Sequence, residues 1–188
     1  MASVFNERKA AQMAAFFLGQ ALEKRMTHLK LMKLLYLAER EAVRCFGWPM
    51  VGDRLVSMPH GPVLSKTLNL MDGDTESQTG GWEDWISDKE NHEVALRHAH
   101  DPSSFDELAP AEVSVLQSVW SKFGAMDKWA IRDWTHRHCT EWKDPNGSSY
   151  PIHYETLARA LGFDESSAKE LSAQIQSEQE VDSLLAAI

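Results

Sequence analysis

The sequence predicts a mainly α fold: a compact helical domain with a small β-hairpin and a C-terminal helical extension. Three observations predict it. Apolar residues recur at three- and four-residue intervals through most of the chain. The breaks between those stretches are short and carry capping or turn residues. Strand-like patterns are confined to a few short pieces. With 188 residues, 43% of them hydrophobic, the chain has enough apolar material for one ordinary core.

The first helix is predicted over about Glu7 to Arg25, where Ala10, Met13, Ala14, Phe17 and Ala21 form one stripe and Leu18 and Leu22 widen it. Thr27 reads as an N-cap. The second helix follows over His28 to Phe46. Leu31, Leu34, Leu35, Ala38, Ala42 and Cys45 form its apolar face, and Lys30, Lys33, Arg40, Glu41 and Arg44 fall mainly on the other side. Gly47 closes it in the left-handed conformation. The short link between the two helices favours an antiparallel pair.

Trp48-Pro49 and Gly52-Asp53 then break regular structure. Arg54 to Met58 reads as a short extended piece and Pro59-His60-Gly61-Pro62 as a turn. Pro62 suits the first position of a third helix running to about Met71, because its missing N–H would be unpaired there. Asp72 to Gly81 is loop. Trp82–Ser87 and Glu93–Arg97 are strand candidates that Asp88–Asn91 would join as a hairpin.

Pro110 begins the next helix, with Val113, Leu116, Trp120 and Phe123 inward and Gly124 at its end. Asp127 caps another over Lys128 to His138. Lys143 to Ser149 is a linker. Beyond it lie helices over Tyr154–Leu161, Glu165–Gln176 and Val181–Ala187, with Gly162 as a stop. The division is residues 1–145 as the main domain and residues 150–188 as the extension, packed on it or appended to it. There is no internal repeat.

Cys45 and Cys139 are the only cysteines and form no Cys-x-x-Cys pair, so a reducing compartment is expected. The N-terminus reaches Glu7 before any apolar run, unlike a secretory signal. No stretch approaches about 18 consecutive apolar residues, so no membrane span is expected. The expected location is cytoplasmic.

The net charge of −9 is uneven. Residues 1–62 hold nine Lys/Arg against five Asp/Glu, a balance of +4, and residues 63–188 hold ten against 23, a balance of −13. The acidic part suits either a basic partner or a well-solvated surface.

Enzyme signatures are missing. No G-x-S-x-G, H-E-x-x-H, Walker lysine loop or G-x-G-x-x-G is present. His136 and Cys139 lie one turn apart, yet the second ligand pair of a structural zinc site is absent. No metal, cofactor or catalytic residue is assigned. The 154–176 segment has the lengths of a helix-turn-helix, but its second helix carries Glu165 and Glu170 with no Arg. Such a helix repels phosphate, so nucleic acid is not expected as a partner. Seven tryptophans are many for this length. Trp120, Trp129 and Trp134 follow helical periodicity into the core. Trp48, Trp82, Trp85 and Trp142 sit near breaks and are candidates for partial exposure.

The block Leu29-Lys30-Leu31-Met32-Lys33-Leu34-Leu35-Tyr36-Leu37-Ala38-Glu39, then Gly47-Trp48-Pro49-Met50, then His60-Gly61-Pro62-Val63, resembles the Panacea domain of SocA-like antitoxins. Thr135-His136 followed by Trp142 is similar as well. The likeness extends over roughly residues 10–145. It implies a mostly helical, non-enzymatic protein that neutralises a cognate cytoplasmic toxin by binding it directly. Delivery of the toxin to a ClpXP-type protease is the alternative, and an uncharacterised metal-dependent enzyme a further one.

Within this stretch Lys33, Tyr36 and Arg40 are spaced to share a helix face near the Gly-Pro turn. They, with Trp48, His60, Gly61 and Pro62, are the candidate protein-binding residues. A stiff turn loses less entropy on association. The bland alternative is that Tyr36 and the Gly-Pro turn only maintain the fold.

Overall fold

The computed structural model describes residues 5–99, 101 and 104–185. The protein is mainly α, with eight helices and two small antiparallel sheets among those residues.

Asn6 starts α1 (Glu7–Gln20) by accepting from the Lys9 N–H at 2.9 Å. This helix is buried nearly all round, because Ala11, Ala15 and Phe16 join the stripe expected from periodicity. It ends five residues before the predicted Arg25. Ala21 turns extended, Glu23 and Lys24 take positive φ, and Arg25–Thr27 form strand β1. β1 pairs with β4 (Glu93–Ala95), setting Met26 opposite Val94 with both side chains buried. A remote partner strand thus takes backbone groups that a local pattern assigns to a helix.

Thr27 caps α2 (His28–Phe46), and Gly47 closes it at φ 66°, both as predicted. Every residue from Leu31 to Glu39 is buried, since α2 packs against α1, α5, α6, α7 and the sheet. Lys33 therefore lies inside the protein, not on the polar face that the spacing predicts.

The three-stranded sheet has the order β3-β2-β5. β2 (Leu55–Met58) and β3 (Gly61–Leu64) form a hairpin in which Met58 faces Gly61. Pro62 is consequently a strand residue, and α3 (Ser65–Asp72) begins three positions after it. The correction has a simple cause. Ser57–Pro62 is the pair next to the turn-closing pair, so the Pro62 nitrogen points away from β2 and costs the sheet no hydrogen bond. β5 (Tyr150–Pro151) pairs with the other edge of β2. Asp53 caps α3 from a distance: its carboxylate accepts from the N–H groups of Lys66 and Thr67, each at 2.8 Å, and from the Thr67 hydroxyl at 2.7 Å.

Gly73 to Gly81 is loop, held by buried Glu7, which accepts from Ser77 Oγ at 2.5 Å and the Trp82 N–H at 2.8 Å. The predicted strand at 82–87 is instead a short helix, α4 (Trp82–Trp85), with Trp82 buried. The end of α4 and its continuation still meet the second candidate antiparallel, through an Ile86–Leu96 bridge and bonds from the Ser87 N–H to the Ala95 carbonyl at 2.8 Å and from the Arg97 N–H to the Trp85 carbonyl at 2.9 Å, while Glu93–Ala95 also pairs with β1.

Pro110 opens α5 (Pro110–Phe123), and Asp127 caps α6 (Lys128–His138) by accepting from Trp129 and Ala130. After the 143–149 linker come α7 (Tyr154–Ala160) and α8 (Glu165–Leu185). The two helices predicted over 165–187 are one, since nothing between Gln176 and Val181 breaks it; Ala186 and Ala187 lie outside the described residues. Leu157, Ala158, Ala168, Leu171 and Ile175 join the common core, and Tyr154 donates its hydroxyl to the Asp53 carbonyl at 3.2 Å. No helix among the described residues is long and apolar enough to cross a membrane.

Candidate functional site

α2 sends Lys33, Tyr36 and Arg40 towards the β2–β3 hairpin and the segment after α6. Lys33 is fully buried and donates from Nζ to the Pro62 carbonyl at 2.7 Å. That carbonyl is available because the pair it belongs to makes no cross-strand bond. Burial lowers the Lys33 pKa to about 7. The turn itself is tight. Gly61 sits at φ 95°, and a Cβ there would lie 2.7 Å from Thr135 Oγ1 and 3.2 Å from Lys33 Cε. Thr135 is buried and donates its hydroxyl to the Arg132 carbonyl at 2.7 Å. Glycine is thus required both for backbone sign and for space.

One turn further along α2, two donors converge on a single oxygen. The Tyr36 hydroxyl and Arg40 Nε each lie 2.8 Å from Glu141 Oε1. The Glu141 side chain is wholly buried and that of Arg40 nearly so. Burial, and then the Glu141 charge, push the Tyr36 hydroxyl well above its usual pKa, so it stays a donor. Burial likewise pushes the Cys139 thiol up to about 12, which makes it a neutral core group.

Beside this network His136 stacks on Trp142, with ring centroids 4.0 Å apart and planes 4° from parallel. Trp142 donates its indole N–H to the Met58 carbonyl at 2.9 Å, tying the segment after α6 to the hairpin. Burial lowers the His136 pKa, and the Arg132 and Lys33 charges add to that. Among the described residues no three His, Cys, Asp or Glu side chains are grouped to hold a metal, so His136 and Cys139 belong to no such cluster.

The seven candidate binding residues thus divide. Lys33, Gly61 and Pro62 form one buried knot. Tyr36 is buried and Arg40 mostly so, joined through Glu141. Trp48 follows the end of α2 and packs half-buried against the core. His60, at the hairpin tip, is exposed.

Sequence reasoning missed two residues. Glu141 stands in no motif, and only its place beside Trp142 hinted at it. Trp129 follows helical periodicity but is 48% exposed, because it lies in the first turn of α6, where the core face is narrow: of that helix only Ile131 and Thr135 are buried. His60 and Trp129 meet edge to face at 6.4 Å, with Lys128 Nζ 5.1 Å and Arg132 Cζ 4.7 Å from the centroid of the Trp129 ring.

Lys33, Tyr36, Arg40 and Trp142 all donate hydrogen bonds within the domain. The family model "Antitoxin SocA-like, Panacea domain" matches residues 31–143, from within α2 to the residue after Trp142. The chain belongs to that family. No curated protein and no solved structure is significantly similar to it.

Proposed function

We propose that this protein is an antitoxin that neutralises a cognate toxin by binding it directly. Membership of the SocA-like antitoxin family over residues 31–143 is the observation that carries this reading. The buried network supports it. A hairpin held by Lys33 and Trp142 and a segment after α6 pinned through Glu141 make a stiff frame, and a preordered surface loses little entropy on association. In this reading Lys33, Tyr36, Arg40, Gly61 and Pro62 act as that frame, while Trp48 and His60 reach the contact surface. The cytoplasm is the proposed site of action. The proteolytic-adaptor and metal-enzyme alternatives gain no supporting observation among the described residues.

The test is co-expression with the product of the adjacent open reading frame. Rescue of growth, together with a complex that co-purifies, supports the proposal. A neighbour that is harmless alone and forms no complex overturns it.

A further inference from the structure

The motif network orders a second feature that faces solvent. Beneath the hairpin tip lies a cleft of about 340 Å³, lined among others by His28, Leu29, His60, His92, Lys128 and Trp129. Four separate stretches build it: the start of α2, the β2–β3 turn, the turn before β4 and the first turn of α6. Each is fixed. The His92 carbonyl lies 2.9 Å from both the backbone nitrogen and Nδ1 of His28, and the two imidazoles stack at 5.6 Å. Asp127 holds the α6 turn that carries Trp129. Gly61, wedged against Thr135 and Lys33, fixes the turn that carries His60.

The chemistry of this cleft is unlike the rest of the chain. Its surface is chiefly carbon, and its polar side chains are three imidazoles, one ammonium and Thr27. No acidic side chain lines it, in a protein of net charge −9. The nearby carboxylates are engaged elsewhere: Asp127 on backbone N–H groups, Asp133 on Arg132 and Glu93 on Arg25. An exposed tryptophan with cations over its ring is the type of residue that dominates interface energetics.

We infer that this cleft is where the toxin docks, and that it receives a toxin segment pairing a carboxylate with an apolar or aromatic side chain. The carboxylate would meet Lys128 and the imidazoles, and the apolar group would cover Trp129. This rests on the antitoxin reading and names the chemistry of its partner.

The experiment measures affinity between the full chain and the product of the adjacent open reading frame. The variants are Trp129→Ala, His60→Ala and Lys128→Glu, with Lys169→Ala on α8 as control. Circular dichroism and thermal melts confirm that each is folded; these side chains lie at or near the surface, and Trp129 and His60 are exposed. Trp129→Ala and Lys128→Glu should each weaken binding by about tenfold or more. Added salt should weaken the parent complex and should not weaken the Lys128→Glu complex, because there it screens a repulsion between two carboxylates. Lys169→Ala should bind like the parent.

Parent-like binding by Trp129→Ala and Lys128→Glu overturns the docking site and leaves the antitoxin reading intact. No complex with the parent chain overturns both. A dimer of this chain that Trp129→Ala dissolves, or a single-stranded oligonucleotide that the parent binds and Trp129→Ala releases, assigns the cleft to another occupant and overturns the inference.

Discussion

Lys33 of α2 and Pro62 of β3 are joined by a 2.7 Å hydrogen bond from Nζ to the proline carbonyl, inside the protein. Removing the donor strands a buried acceptor. Lys33→Ala also leaves a cavity and should cost about 2–4 kcal/mol. Lys33→Met keeps the volume and removes a poorly solvated amine, so it should cost about 2 kcal/mol or less. Urea denaturation separates the two, and a Lys33→Ala protein as stable as the parent would exclude the structural role.

Gly61 supplies a sharper test, because two independent effects act there. Its φ of 95° strains any L side chain, and the new Cβ would press on Thr135 Oγ1. Gly61→Ala should lose about 1–3 kcal/mol from backbone strain, with the Thr135 clash added. Removing the obstructing hydroxyl with Thr135→Ala should recover the clash and not the strain. A double variant no more stable than Gly61→Ala would show that the Thr135 contact contributes nothing to the loss.

Glu141 joins α2 to the segment after α6. Glu141→Ala leaves the Arg40 guanidinium without its buried partner, and breaking such a pair costs about 3–5 kcal/mol. Tyr36→Phe removes one bond to the same oxygen and should cost about 1 kcal/mol. A double-mutant cycle measures the coupling between Tyr36 and Glu141; additive losses would mean that the two do not act together.

Stability should depend on pH through two buried groups of opposite sign. Glu39 accepts from the N–H groups of Met50 and Val51, yet burial outweighs those bonds and raises its carboxyl from 4.5 to about 7. Between these values the folded state holds a proton that the unfolded chain has lost. The Glu39 contribution is therefore full below pH 4.5 and is lost as pH rises through about 7. Lys33 is lowered from 10.5 to about 7, so over that interval the unfolded chain holds the extra proton and stability increases with pH. Glu39→Gln should flatten the slope on the acid side of neutrality, and Lys33→Met the slope on the alkaline side. Denaturation midpoints across pH measure both; unchanged slopes in either variant would remove that group as a cause.

Much of the helical frame was legible because its signals are local. Thr27, Gly47, Pro110 and Asp127 act on backbone groups within a turn of themselves, and the helices they bound stand where periodicity puts them. The end of α1 and the strand at Arg25–Thr27 were not legible, because β1 exists only where Glu93–Ala95 meets it. Pro62 was misplaced for a related reason: a proline suits both a helix start and the outward-facing pair of an edge strand, and only register decides.

The sequence by itself determined the family and the order of its motifs: the Leu-Leu-Tyr helix, Gly-Trp-Pro, Gly-Pro-Val, then Thr-His and Trp. Spacing along one chain cannot say which side chains face inward when a helix is surrounded on several sides. Tertiary structure decided that Lys33 and Tyr36 serve the interior, that Glu141 completes their network, and that Trp129 stays in the open beside His60. The physical reason is that burial and pairing belong to contacts between distant segments. Lys33 with Pro62 and Tyr36 with Glu141 are such contacts, so their roles come into being only when the chain has folded.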